Sequence, residues 1–178
     1  KTSWEDYKGL YLAVSGGSGG HYDKGSFVFE TLGERWSIDM GRNDVATMPY
    51  LKRTETHSAL VINPSENDAG QVDNAPFASV ERYETNSTDA FAIYDLTDVY
   101  SDCVSGYKRG FWVSDVRSTL TIRDEVSLSA KSELCWNMIT KANITLSASN
   151  ILSLVTTLNK SFSLLTFFAI MPIPPQLI

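Results

Sequence analysis

The sequence predicts an all-β fold, an antiparallel β-sandwich built from many short strands. Short runs rich in Val, Ile, Thr, Phe, Tyr and Trp recur along the chain, and turn-forming residues separate them. Such side chains suit a pleated, half-buried surface, and many short strands at regular spacing are typical of sandwiches. No stretch of about ten residues carries the i, i+3, i+4 apolar stripe that indicates an amphipathic helix.

The first predicted strands surround a glycine cluster and a tight turn. Residues 10–14 precede the glycine cluster at 16–20, and residues 26–30 and 36–40 flank Leu32-Gly33-Glu34. A glycine between two such runs predicts a hairpin. Further strands are predicted over residues 58–62, 79–83, 90–94, 110–114, 118–126, 132–140 and 142–149.

Two later segments depart from this pattern. Residues 63–74 are rich in Asn, Asp, Gly, Ser and Pro, which predicts an exposed loop. The apolar run 164–171 is too short for a membrane span and ends at Pro172. We interpret it as a buried last strand; an exposed patch awaiting a partner is the alternative.

Composition limits the function classes. The 178 residues are 43% hydrophobic and suit one domain, residues 1–178. The formal charge of −6 argues against a nucleic-acid partner, because phosphate contact needs clustered Lys and Arg. An acidic polysaccharide would also be repelled, so it would need a local basic patch or a basic partner domain.

The two cysteines, Cys103 and Cys135, lie far apart in the sequence and lack CxxC spacing. Two reduced thiols are the simpler interpretation, and a single disulfide in an exported protein is the alternative. Neither cysteine has a histidine close in sequence, which disfavours a metal role.

The chain contains two histidines, His21 and His57, and each stands beside a predicted strand end. Asp39 ends the strand Trp36–Asp39, and hairpin pairing should return it toward the end where the glycine cluster enters. Two imidazoles and one carboxylate are an ordinary zinc set with one position left open. Solvated or core-satisfied histidines are commoner, and no HxH or HExxH motif supports a metal. Spacing alone therefore leaves both interpretations open.

Several segments, in this order, resemble the heparinase II/III-like module. The stretch from His21 to Phe27 matches His-x-x-x-Gly-Ser-Phe, and a strand ending at Asp39 continues into Asp-x-Gly. Arg53 and His57 then match Arg-x-x-x-His before a strand. The match continues at residues 94–100, at Arg109 with Val113 and at residues 122–126, so the resemblance covers residues 4–145.

The resemblance implies the fold and a metal site. The family joins an α/α toroid to a C-terminal β-sandwich, so this chain would be the sandwich alone, with a divergent tail at 150–178. The family's structural zinc would be held by His21, Asp39 and His57. Such a metal would tie the loop before one strand to two strand ends, which is a folding role.

The resemblance also implies a chemistry, β-elimination at the uronic acid of an acidic, heparin- or heparan-sulfate-like polysaccharide. Most catalytic groups would come from the toroid, so the isolated domain is expected to be inactive. Gly19 stands where the family's sandwich usually supplies a catalytic histidine. Tyr50 is the candidate proton-transfer tyrosine. Such an enzyme would be periplasmic or secreted, without nucleic-acid or membrane partners, and a homodimer is left open.

Two alternatives stay open at the level of sequence. One is a non-catalytic carbohydrate-binding or structural sandwich that retains the zinc and has lost the chemistry at Gly19. The other is a soluble sandwich without a metal.

Overall fold

The structure, a computed structural model, describes residues 5–17, 20–41, 49–65, 70–72, 75–146, 152–155, 161–164 and 167–171, with side-chain environments given to residue 145. Strands dominate the described part, and its helical segments are single 3₁₀ turns. The strands are β1 Tyr11–Val14, β2 Phe27–Thr31, β3 Glu34–Ser37, β4 Leu60–Ile62, β5 Ser79–Thr85, β6 Ala90–Asp95, β7 Val104–Ser114, β8 Thr119–Leu128, β9 Leu134–Trp136, β10 Asn143–Leu146, β11 Leu152–Val155, β12 Ser161–Leu164 and β13 Phe167–Met171. The turns are η1 Pro49–Lys52, η2 Thr54–Thr56 and η3 Asp98–Tyr100.

The described strands form four sheets. The largest has the order β13-β8-β7-β6-β5, and a three-stranded sheet has the order β1-β2-β3. Strands β4 and β9 pair with each other, and β10, β11 and β12 form a further sheet. Pairing is antiparallel except between β13 and β8, which run parallel. The all-β prediction is confirmed. β13 lies within the predicted last strand 164–171 and at the edge of the largest sheet, and the predicted burial of its side chains lies outside the described residues.

The turn between β2 and β3 confirms the predicted hairpin. Leu32 and Gly33 have φ values of +58° and +75°. Positive φ at both central residues is the backbone of a type I′ turn, whose twist matches the twist of the two strands. The hairpin therefore closes in two residues and directs β3 back along β2.

One layer of the core lies between the β1-β2-β3 sheet and the five-stranded sheet. Phe27, Phe29 and Trp36 pack against Phe111 and Ile122, and all five are buried. The two sheets contribute alternate residues to this layer, as in sandwich packing. This packing fixes the β2–β3 hairpin, and it thereby positions the segment before β2 and the segment after β3.

A second core cluster lies around β4. Leu60 and Ile62 pack with Leu96, Tyr100 and Val126. All three residues of β4 are buried, as expected for a strand covered on both faces. The segment entering β4 is therefore held against the interior of the five-stranded sheet.

Several strand boundaries differ from the prediction. β7 begins at Val104, six residues before the predicted start at 110. The apolar alternation was not recognised there because Arg109 is a charged residue at a buried position and the register shifts between Val104 and Gly106. Residues 132–140 form only the three-residue β9, since its partner β4 is equally short. β3 ends at Ser37 and β4 begins at Leu60, so the segments beyond them are loop and turn.

Other expectations concern the cysteines and membranes. Cys103 is half-buried and Cys135 exposed, and both are free thiols, as in the simpler interpretation. In the described part of the chain, no helix is long and apolar enough to cross a membrane. The predicted loop 63–74 contains no strand within its described residues, 63–65 and 70–72.

Candidate metal centre

His21 lies in a loop that is fastened at several points. The Tyr22 amide donates to the Lys52 carbonyl at 2.7 Å, and the Gly25 amide donates to the Ser15 carbonyl at 2.9 Å. The Ser15 hydroxyl donates to Asp23 Oδ2 at 3.0 Å. These bonds hold the backbone on both sides of the loop, so the His21 ring has a defined position.

Asp39 stands two residues beyond the end of β3. The Ile38 amide donates to the Ile139 carbonyl at 2.9 Å, which directs the chain away from β2. Asp39 Oδ1 accepts the Gly41 amide at 2.6 Å, while the side chain is 39% exposed. The Gly41 amide thus orients the Oδ1 atom of the carboxylate, and the other oxygen, Oδ2, faces His57.

His57 follows turn η2, and its amide donates to the Thr54 carbonyl at 3.1 Å. The histidine as a whole is 1% exposed. Next to it, the Ser58 amide donates to Ser26 Oγ at 3.1 Å, and the hydroxyls of Ser58 and Ser37 lie 2.8 Å apart. These contacts bring the start of β2, the end of β3 and the entry to β4 together, in the region that we call the histidine pole.

The three residues predicted as metal ligands meet at this pole. His57 Nδ1 lies 3.2 Å from Asp39 Oδ2, and the ring centroids of His21 and His57 are 5.6 Å apart. Within the described residues, however, no three His, Cys, Asp or Glu side chains form a group arranged to hold a metal. The structure therefore brings the trio together without arranging it as a complete ligand set.

Both histidines keep one buried ring nitrogen without a protein partner. The Nε2 atoms of His21 and His57 are shielded from solvent and make no hydrogen bond. A buried nitrogen left unsatisfied costs about 1–3 kcal/mol. The Nδ1 atom of His57 faces Asp39, which leaves the Nε2 atoms of both histidines as the unpaired nitrogen donors. Two imidazoles and a nearby carboxylate are donor types that zinc takes.

Tyr50 and Lys52 belong to turn η1, which the Tyr22–Lys52 backbone hydrogen bond joins to the loop of His21. Tyr50 is 50% exposed. Lys52 Nζ lies 3.9 Å from the place that a Cβ would occupy on Gly20. The turn thus carries an exposed phenol, and it places the Lys52 ammonium group near Gly20. Gly19 and residues 42–48 lie outside the described residues.

A buried ion pair behind the pole is the principal element that the residue patterns did not predict. Arg109 and Asp124 are 0% and 2% exposed, and they bond through Nε–Oδ1 at 2.6 Å and Nη2–Oδ2 at 2.9 Å. Arg109 Nη1 also donates to the carbonyls of Gly25 at 2.8 Å and Ser58 at 3.3 Å. The guanidinium therefore joins the histidine loop, the His57 segment and the five-stranded sheet.

A second buried network supports the same loop. The Gln71 side chain accepts from the Lys24 amide at 3.2 Å and donates to the Lys24 carbonyl at 3.0 Å. Gln71 Nε2 also donates to the Tyr100 hydroxyl at 3.0 Å, which donates to the Leu60 carbonyl at 2.6 Å. The loop after His21 is thereby fastened to β4.

The two buried tyrosines of these networks predict a loss of stability in base. Burial raises the pKa of Tyr100 and Tyr107 well above the ordinary value near 10. Because the pKa of each hydroxyl is raised in the folded state, the stability that the protonated tyrosine contributes is fully present below pH 10. It is lost as the pH rises above 10. Each tyrosine is expected to remove about 1.4 kcal/mol of unfolding free energy per pH unit above 10.

Urea unfolding between pH 8 and 12, with phenolate absorbance recorded in parallel, checks this expectation. Tyr100 and Tyr107 should ionise only on unfolding. Complete ionisation of all eight tyrosines in a folded protein would contradict the prediction.

Comparison with known proteins gives a family and a fold. The family model described as "Heparinase II/III-like, C-terminal" matches residues 9–169. Two crystal structures of heparan sulfate lyase HepC from Pedobacter heparinus, one of them a mutant, each superpose with a TM-score of 0.65 at 17% identity. Each likeness covers 83% of this chain and 24% of that chain, so this chain spans about a quarter of the lyase. No curated protein matches the sequence.

Proposed function

Because the chain belongs to the heparinase II/III-like family through the C-terminal domain matched at residues 9–169, we propose that it is the β-sandwich module of a polysaccharide lyase. The substrate would be a uronic-acid-containing glycan of the heparin or heparan sulfate kind, cleaved by β-elimination. A parent enzyme of this kind would be periplasmic or secreted. The observation that carries the proposal is the family match over residues 9–169, and turn η1 adds Lys52, whose ammonium nitrogen lies near Gly20.

The chemistry of β-elimination gives each group on η1 a role. The proton on C5 of a uronate becomes removable when a positive or hydrogen-bonding group neutralises the adjacent carboxylate. Lys52 would supply that charge. Tyr50 would transfer a proton to or from the sugar. Neither group completes the reaction alone, which is consistent with a module that is inactive in isolation.

The charge distribution supports a partner domain. On the five-stranded sheet, Lys108 pairs with Glu81 at 2.7 Å and Arg123 pairs with Glu125 at 2.7 Å. These cations are neutralised within the domain and are poorly suited to a polyanion. We therefore propose that an upstream α/α toroid provides most contacts with the acidic polysaccharide.

We further propose that His21, Asp39 and His57 hold a structural zinc ion. The buried Nε2 atoms of the two histidines and the nearby Asp39 carboxylate support it. When bound, the ion would fix the glycine loop to the ends of two strands and supply no Lewis-acid chemistry. Protein purified without added metal should contain about one zinc per chain, measured by elemental analysis.

The lyase proposal is tested by comparing the isolated module with a longer protein that includes the upstream domain. On heparan sulfate, the longer protein should release unsaturated uronate, followed by its ultraviolet absorbance, and the module should release none. Tyr50→Phe in the longer protein should lower kcat by about 10²–10⁴-fold. Tyr7→Phe, at a 70% exposed tyrosine, is the matched control and should leave kcat unchanged.

One feature of the sequence favours a second candidate function. Gly19 occupies the place where the family usually has a catalytic histidine, so the module fits a non-catalytic carbohydrate-binding or structural domain as well. Under that alternative, the longer protein binds heparan sulfate without forming any unsaturated product.

A further inference from the structure

Strand β5 is an open edge of the five-stranded sheet. All seven residues of Ser79–Thr85 are exposed, and among the described strands β5 pairs only with β6. An edge strand presents unpaired backbone N–H and C=O groups that can pair with another strand. What distinguishes this edge is the order of its charges.

The centre of β5 is complementary to itself in antiparallel pairing. A two-fold axis normal to the sheet pairs residues whose positions are symmetric about one central residue. With Tyr83 at the centre, Arg82 of one copy faces Glu84 of the other, and the same pair repeats across the axis. Centring on Arg82 or on Glu84 would instead place like charges opposite each other, which is destabilising.

The faces of the strand agree with this register. Arg82 and Glu84 are opposite Ile93 and Phe91 of β6, and they already form an ion pair at 2.6 Å on the outer face. In the dimer, Arg82 of one copy could pair with Glu84 of the other copy on this same outer face. Neither side chain would have to move to the opposite face of the sheet. The charged groups that usually protect an edge from association would here join it to its own copy.

Tyr83 lies on the other face, at a groove between the two sheets. It is opposite Ala92 and is 68% exposed. The groove has a volume of about 280 Å³, and Leu12, Val14 and Phe111 contribute to its lining. In the Tyr83-centred register the two Tyr83 rings would meet at the axis, and each would cover apolar surface that the single chain leaves exposed.

We propose that two copies of this chain associate through antiparallel pairing of their β5 strands about a two-fold axis at Tyr83, which joins two five-stranded sheets into one. The regular part of the ladder is short, because a bulge interrupts β5 between Val80 and Arg82. The dimer is therefore weak and concentration-dependent. This inference does not rest on the lyase or zinc proposals.

A charge exchange tests the register. Sedimentation of the wild type should show a monomer–dimer equilibrium. Arg82→Glu and Glu84→Arg, each alone, place like charges opposite each other and should weaken the dimer by about tenfold or more. An equimolar mixture of the two single variants should form a heterodimer, and the double variant Arg82→Glu/Glu84→Arg should regain the homodimer.

The controls separate association from folding. Thermal melts of all variants should match the wild type, because the exchanged residues are exposed. Arg35→Glu, at an exposed ion pair with Glu30 on the other sheet, should leave association unchanged. A wild type that is monomeric up to about 1 mM, or a dimer that the single exchanges do not weaken, would overturn the proposal.

Discussion

Replacing Arg109 with methionine is expected to lower the free energy of unfolding by about 3–5 kcal/mol. The change leaves the Asp124 carboxylate, 2% exposed, in the core with the Tyr107 hydroxyl at 2.9 Å as its remaining donor. It also removes the donor that serves the Gly25 and Ser58 carbonyls. Stability of that size is a large part of what a domain possesses, so urea unfolding should show a much lower midpoint.

Two further variants show whether the loss comes from the uncompensated charge. The double variant Arg109→Met/Asp124→Leu removes both charges and should recover most of the stability. Arg123→Met breaks an exposed ion pair on the same sheet and should change stability by less than about 0.5 kcal/mol. A single Arg109→Met variant as stable as the wild type would contradict the role of this pair.

His57→Ala is expected to reduce the zinc content from about one ion per chain to near zero and to lower Tm by about 10 °C. The proposed ion would lose a ligand from the most buried part of the centre. Loss of a bound metal removes about 3–4 kcal/mol at moderate saturation, and each kcal/mol shifts the Tm of a domain this size by about 2–4 °C. Elemental analysis and thermal melts measure the two quantities.

Chelation provides the matched control for that variant. A chelator should lower the Tm of the wild type toward that of His57→Ala and should have little effect on the variant. His21→Ala should behave like His57→Ala. Unchanged metal content in either variant would refute the assignment of these ligands, whereas a metal-free wild type would refute the zinc proposal itself.

The sequence predicted the fold better than the detail of its strands. Alternation of apolar residues was sufficient to recognise most strands. It could not give the length of β9, which depends on its partner β4 rather than on its own residues. The meeting of His21, Asp39 and His57 followed from family motifs in order; spacing alone left it open. Whether they hold a metal is still a prediction.

The ion pair of Arg109 and Asp124 was beyond the reach of residue patterns. A charged residue within an alternating strand ordinarily lies on the solvent side. Here both residues fall on inward positions, and they are opposite each other because of the register between β7 and β8. That register is a property of two strands together. The open edge of β5 is likewise a consequence of sheet order.

The hydrogen bonds of Arg109 connect segments that are far apart in the sequence, which predicts an order for the steps of folding. β7 and β8 are neighbours in sequence and pair along ten positions, so their hairpin closes a short loop. The bonds from Arg109 to Gly25 and Ser58 span 84 and 51 residues, and they can form only after distant segments dock. The hairpin should thus gain hydrogen-exchange protection first and the histidine pole last. Binding of the proposed metal ion would then be one of the last steps of folding, after the β7–β8 hairpin has formed.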